Sequence, residues 1–253
     1  MIVGEHCLCG WDHTADVSHL VSARMALDPF RYIQSRKYRG TVVVVGGHIG
    51  HDAIRFSRSS AFGRVVAVEG VGGAYNFLQS TLLDQDKSAP IEVLATFVSN
   101  RPELFLNVDR SPNDGKWFLT EVPVGPDSNR VSAITLDEVC ANRENIDVIR
   151  ISVDAHELEI LESGSKTLRR HHPDICVEIC LHHTIFVTRV MESHGYLQAE
   201  TLGHMNAYFV YVGHVAVAIS HILSAAPFWI SSRLVWRWKR MTTGISMARR
   251  RWR

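Results

Sequence analysis

Three glycines and one acid stand where a nucleoside would need them. Thr41-Val-Val-Val-Val-Gly-Gly-His-Ile-Gly50 is a β-branched run ending in glycines, the pattern of a buried parallel strand that opens into a tight turn. Glu69, nineteen residues beyond Gly50, closes a second such run, Val66-Ala-Val-Glu69. Glycines let a ligand approach the backbone, and a carboxylate after the second strand accepts hydrogen bonds from a ribose diol. Gly46, Gly47, Gly50 and Glu69 therefore point to an adenosine-containing cofactor. The turn reads G-x-x-x-G with one extra glycine instead of G-x-G-x-x-G, so the pyrophosphate cradle is incomplete. That favours S-adenosylmethionine, which carries no phosphate, and disfavours a nicotinamide oxidoreductase. The competing reading is a tight turn with no ligand.

A second constellation could act on an acceptor. Ser152, Asp154, His156 and Glu157 follow one apolar run, and Glu178, His182 and His183 lie at or after the end of the next. Parallel sheets place ligands outside the carboxyl ends of their strands, so both clusters should face one cleft. Methyl transfer requires an in-line approach of the acceptor, and an acceptor that carries a proton needs a base to remove it. Asp154 and His182 are the preferred candidates for that work, with Glu157 beside them. Each also has a plain structural role: Asp154 as a helix N-cap, Glu157 as a first-turn acid, and His182 and His183 as loop residues. His48 and His51 flank the glycine turn and suit local hydrogen bonding.

The elements that must position these residues follow from periodicity. Strands are expected over 41–45, 64–68, 91–98, 146–151 and 174–179, with Ser99 and Asn100 ending the third and bordering the adenine. Helices are expected over 74–83 and 184–194, and an amphipathic one over 156–168. Thr135 should cap a short helix, and Gly195 should stop the helix before it. Ser111-Pro-Asn-Asp-Gly115 is a turn between 104–108 and 117–119, which predicts a hairpin insertion. Residues 197–201 and 208–212 form a closing antiparallel pair. Alternating strands and helices of this kind predict a doubly wound, Rossmann-like α/β sandwich. Its sheet is seven-stranded and mostly parallel, with a terminal antiparallel hairpin, as in class I methyltransferases. Residues 1–37 make an N-terminal helical cover, 38–212 the cofactor domain, and 213–253 a tail.

The chain has 253 residues and a formal charge of +1, which hides an asymmetry. No Asp or Glu follows Glu200, whereas Arg233, Arg237, Lys239, Arg240, Arg249, Arg250, Arg251 and Arg253 crowd the end. Without those eight cations the remainder holds 19 basic and 26 acidic residues, so an acidic body carries a basic tail. The tail follows a nearly apolar stretch, 215–230, and interleaves Trp229, Trp236, Trp238 and Trp252 with the cations. Such a segment suits the headgroup level of an anionic membrane, whereas Pro227 argues against a spanning helix. A helix folded onto the domain is the alternative, and nucleic acid is the least favoured partner. Five cysteines without framework spacing, and an N-terminus lacking a signal-peptide pattern, predict a cytoplasmic protein, peripheral at the inner membrane surface if the tail docks there. Cys7, Cys9 and His13 have no second ligand pair at zinc-like spacing, and no metal set is assigned.

The ordered motifs resemble the FkbM-type methyltransferases. Ile146-Asp-Val-Ile-Arg-Ile-Ser-Val-Asp-Ala-His-Glu-Leu-Glu-Ile-Leu161, then Pro173 and Val177-Glu-Ile179, is similar to that family's I-D-x-I-K-I-D-V-E-G-x-E-x-x-V-L and following P-x-x-x-x-E. Gly63-Arg-Val-Val-Ala-Val-Glu69 and Thr135-Leu-Asp137 match in the same order. The resemblance covers roughly residues 38 to 212. It implies S-adenosylmethionine-dependent O-methylation of a hydroxyl on a sugar, glycolipid or secondary metabolite. The chain departs from the pattern in several places. The family usually has Asp at Val44, Asn at His48, Pro at Gly70, Lys at Arg150, Asp at Ser152, Glu at Asp154 and Gly at Ala155, while Glu157 is retained. Val44 and Ser152 each remove an acid from the expected site, which motivates the alternative of a non-catalytic binding or regulatory protein on the same fold.

Overall fold

In the computed structural model, the described residues are 33, 38–83, 89–110, 117–122, 129–153, 156–179, 183–202, 206–214 and 216–218. The N-terminal cover apart from Ile33, the turn 111–116, Asp154, His182 and the basic tail lie outside them.

The core is a seven-stranded sheet in the order β10-β11-β9-β8-β1-β2-β3. Its strands are β1 (Thr41–Val45), β2 (Arg64–Val68), β3 (Ile91–Leu94), β8 (Ile146–Ile151), β9 (Asp174–Glu178), β10 (Tyr196–Leu202) and β11 (Asn206–Tyr211). The first five of these pair in parallel, and β11 runs antiparallel to both β9 and β10. β1 sits near the middle, buried along its whole length, as its unbroken valines require.

Alternate residues divide the core into two layers. Val43, Val45, Ile149 and Ile151 pack with Leu136, Ile160, Leu161, Leu168, Val187 and Met191. Those partners come from α3 (Leu136–Cys140), α4 (Glu157–Glu162), α5 (Ser165–His171) and α6 (Thr184–Ser193). Val42, Val44 and Val148 face the other way, onto Ala53, Ile54, Phe56, Leu78 and Leu82, from α1 (His51–Arg58) and α2 (Gly72–Leu83). A sheet between two helical layers is the expected sandwich.

Two expectations need correction. The run 91–98 is not one strand: β3 ends at Leu94, and β4 (Phe97–Val98) pairs with β7 (Asn129–Ile134) in a second sheet, ordered β4-β7-β5-β6. The expected hairpin, β5 (Glu103–Arg110) and β6 (Trp117–Glu121), belongs to that sheet, and β7 completes it. The helix expected over 156–168 is two helices. Ser163 breaks it by accepting the Leu136 amide on Oγ at 2.9 Å. Gly164 then admits the Leu136 side chain, which a Cβ would meet at 2.6 Å. The expected Thr135 cap is present as a full capping box: the Glu138 amide donates to Thr135 Oγ1 at 3.1 Å, and the Thr135 amide donates back to Glu138 at 2.7 Å. Gly195, in the left-handed region, ends α6 as predicted.

Candidate active site at the carboxyl edge of the sheet

The glycine turn lies between the ends of β1, β2 and β8. The amides of Gly46 and Gly47 both donate to the Val68 carbonyl, at 3.0 and 2.9 Å, which ties the turn to β2. Gly46 has φ +85°, and a Cβ there would lie 2.0 Å from the Ser152 carbonyl oxygen. Only glycine fits so close an approach. Gly50, at φ +93°, starts α1, with its carbonyl accepting from the Ile54 amide at 2.9 Å.

Glu69 completes this turn. Its Oε2 accepts from the His48 amide at 2.7 Å and its Oε1 from the Val71 amide at 2.8 Å. The residue is only 8% exposed, and burial pushes its carboxyl pKa above the ordinary range against the pull of the Val71, His48 and Gly70 amides. A carboxylate has about four lone-pair sites, so these backbone donors leave acceptor capacity for a diol. A glycine cradle and a buried acid at the same strand edge fit the ribose and methionine portions of an adenosyl cofactor. The structure thus brings Gly46, Gly47, Gly50 and Glu69 together at one turn.

Ser99 and Asn100 sit at the end of β4, in the second sheet. Ser99 is buried, with its amide on the Ile134 carbonyl at 3.0 Å and its Oγ accepting from the Arg101 amide at 3.2 Å. Asn100 is exposed and donates to Glu162, the last residue of α4, at 2.9 Å. Both are therefore engaged with β7, their own loop and α4.

A charge cluster that the sequence reading missed lies beside the turn. Arg150 is buried near the carboxyl end of β8 on the face shared by Val44 and Cys176, its register partners on β1 and β9. Its Nε donates to Asp52 on α1 at 3.2 Å, Nη2 to Glu178 at 3.2 Å, and Nη1 to Asn206 at 2.8 Å and to the Ile151 carbonyl at 3.0 Å. Ser152 Oγ also donates to Glu178 Oε2, at 2.8 Å. Burial raises the Asp52 carboxyl pKa, but its bonds to His51 and Arg150 outweigh that and bring it down to about 2. Burial works against the Arg150 charge, and the neighbouring Cys176, Asp52 and Glu178 more than restore it. Val44 thus leaves no uncompensated cation, because α1 supplies the carboxylate. The signal available in the sequence was an arginine near the end of a largely apolar strand.

Asp154 and His182 lie outside the described residues. Glu157 opens α4 with a side chain only 1% exposed, and its Oε2 lies 3.3 Å from His183 Nδ1. Among the described residues, no group of three or more His, Cys, Asp or Glu side chains could hold a metal ion.

Residues 45–209 match the profile described as the Methyltransferase FkbM domain. None of the curated proteins matches this chain. Among solved structures, a methyltransferase FkbM from Methylobacillus flagellatus KT is 15% identical; the match covers 78% of this chain and 60% of that one, with a TM-score of 0.45. A precorrin-6y C5,15-methyltransferase from Geobacter metallireducens GS-15 is 13% identical over 75% of this chain and 86% of its own, with a TM-score of 0.45. Magnesium protoporphyrin IX methyltransferase from Synechocystis PCC 6803, with bound S-adenosylmethionine, is 9% identical over 80% and 86%, with a TM-score of 0.46.

Proposed function

The chain belongs to the FkbM methyltransferase family, whose methyl donor is S-adenosylmethionine, and on that premise we propose that it methylates a hydroxyl oxygen of a sugar, glycolipid or secondary metabolite. The observation that carries the reading is the pairing of the Gly46 approach with Glu69 at one strand edge. When bound, S-adenosylmethionine supplies a sulfonium methyl that an oxygen attacks in line. The protein contributes position. Glu69, which fixes the turn through His48 and Val71, would hold the ribose hydroxyls. Gly46, Gly47 and Gly50 would let the methionine portion lie against the backbone, and the Asp52–Arg150–Glu178 cluster locks α1 onto β8 and β9 beside the turn. Fixed geometry of this kind provides much of the rate of a displacement.

The test is transfer from methyl-labelled donor to a panel of methyl glycosides, glycolipids and polyhydroxylated aromatics. Label recovered as an alkali-stable ether supports the reading. Turnover confined to nitrogen, carbon or carboxylate acceptors overturns it, and donor binding with no transfer at all favours the non-catalytic alternative.

We further propose that the tail contacts an anionic membrane surface. Its eight cations and interleaved tryptophans support this; no helix among the described residues is long and apolar enough to cross a membrane. Attraction near such a surface is about 1 kcal/mol per cation and weakens as the Debye length shortens to about 3 Å at 1 M salt. Deleting residues 232–253 should release the protein from phosphatidylserine-containing liposomes in sedimentation. Full-length protein remaining in the supernatant at low salt would reject the contact.

A further inference from the structure

We propose that His183, with its ring oriented by Glu157, is the base that takes the proton from the acceptor hydroxyl; this rests on the hydroxyl-acceptor reading above. The two residues come from different segments that leave the sheet at adjacent strand ends. β8 and β9 are joined at those ends by the Ser152–Glu178 hydrogen bond of 2.8 Å. Glu157 follows five residues after Ser152, and His183 five after Glu178. The helices they begin, α4 and α6, pack on one another, so the pair stands at the carboxyl edge where parallel sheets hold ligands.

The pair has the parts of an oriented base. Glu157 is buried, and the His183 Nδ1, 3.3 Å away, is placed to donate to it. Donation from Nδ1–H selects the tautomer in which Nε2 carries the lone pair, the second-partner arrangement that readies an imidazole for proton transfer. Glu157 also offsets the charge that forms on the ring. The His183 side chain is 26% exposed, so the ring reaches beyond the core that hides its partner. Neighbouring acids serve other ends. Glu178, closing β9, is engaged by the Arg150 guanidinium and Ser152 Oγ. Asp52, despite its burial, is held by His51 and Arg150 with its carboxyl pKa brought down to about 2, which disfavours its accepting a proton. On α6 itself the charged groups, Arg189 and Glu192, lie beyond the first turn.

The step balances without a further reactant. The acceptor O–H bond breaks and its proton passes to Nε2. The oxygen pair forms the bond to the methyl carbon, the carbon–sulfur bond breaks with its pair on sulfur, and the imidazolium later releases the proton to water.

His183→Asn separates this role from a structural one, because the Asn amide can still donate to Glu157 and cap α6 while lacking Nε2. With a methyl glycoside that the wild type methylates, kcat should fall on the order of 10²–10⁴-fold. Calorimetric affinity for S-adenosylhomocysteine should be unchanged. The wild-type rise of kcat/KM with pH, set by one ionisation, should be absent in the variant. Full turnover in His183→Asn, or a surviving acidic limb, overturns the proposal alone. A wild type that methylates no hydroxyl in the panel removes the underlying reading and this proposal with it.

Discussion

Arg150→Met should lower folding stability by roughly 3 kcal/mol or more, the cost of leaving buried charges unpaired. Met fills much of the aliphatic volume but strands Asp52 and Glu178 as neighbouring carboxylates and leaves Asn206 without its donor. Asp52 keeps 29% of its side chain exposed, so solvent relieves part of the loss. The pH dependence provides a sign. In the wild type the Asp52 pKa is lowered to about 2, so its stabilising ionisation is present above the ordinary carboxylate range and is lost only as pH falls through about 2. In the variant Asp52 loses the pull of Arg150, so its carboxyl takes up a proton at higher pH than in the wild type, which relieves its repulsion with Glu178. Denaturant unfolding should show the gap between the two proteins at pH 7 narrowing at pH 4. A gap that is absent at pH 7, or that widens in acid, would contradict the network.

Glu69→Ala should weaken S-adenosylhomocysteine binding by tenfold to several hundredfold, since each charge-assisted bond to the ribose contributes about 1.5–3 kcal/mol and tenfold is about 1.4 kcal/mol. The cofactor-free protein should change far less, because two effects oppose. Alanine leaves the His48 and Val71 amides without their acceptor. It also removes a carboxylate whose pKa burial has raised. A raised pKa means that stability is fully present below the ordinary glutamate range and declines as pH rises through the folded value. The variant should lose that particular decline. Calorimetry for affinity and thermal melting across pH read the two effects separately, and an unchanged affinity would remove Glu69 from the site.

The parts of this protein that obey one rule along a short stretch were readable in the chain. Four valine- and isoleucine-rich runs, those of β1, β2, β8 and β9, could be placed as buried parallel strands, because burial on both faces leaves little polar alternation to confuse them. The Thr135 capping box and Gly195 are equally local. What could not be read depends on contacts distant in sequence. The break at Ser163 and Gly164 exists because Leu136 arrives from α3, and nothing within 156–168 announces that arrival. The split of 91–98 follows from pairing with β7, some 35 residues later. In the site, glycines and Glu69 declared themselves by type and spacing. Asp52 did not, since its meaning lies in Arg150, which is 98 residues away. His183 looked like one loop histidine among fourteen until Glu157 stood beside it.

The most direct test of the whole account is titration of S-adenosylhomocysteine into the purified protein by calorimetry. Saturable binding of one molecule per chain, weakened in Glu69→Ala and retained in His183→Asn, is the predicted result. No binding, or binding of equal strength in Glu69→Ala, would contradict a cofactor site at the edge of β1 and β2.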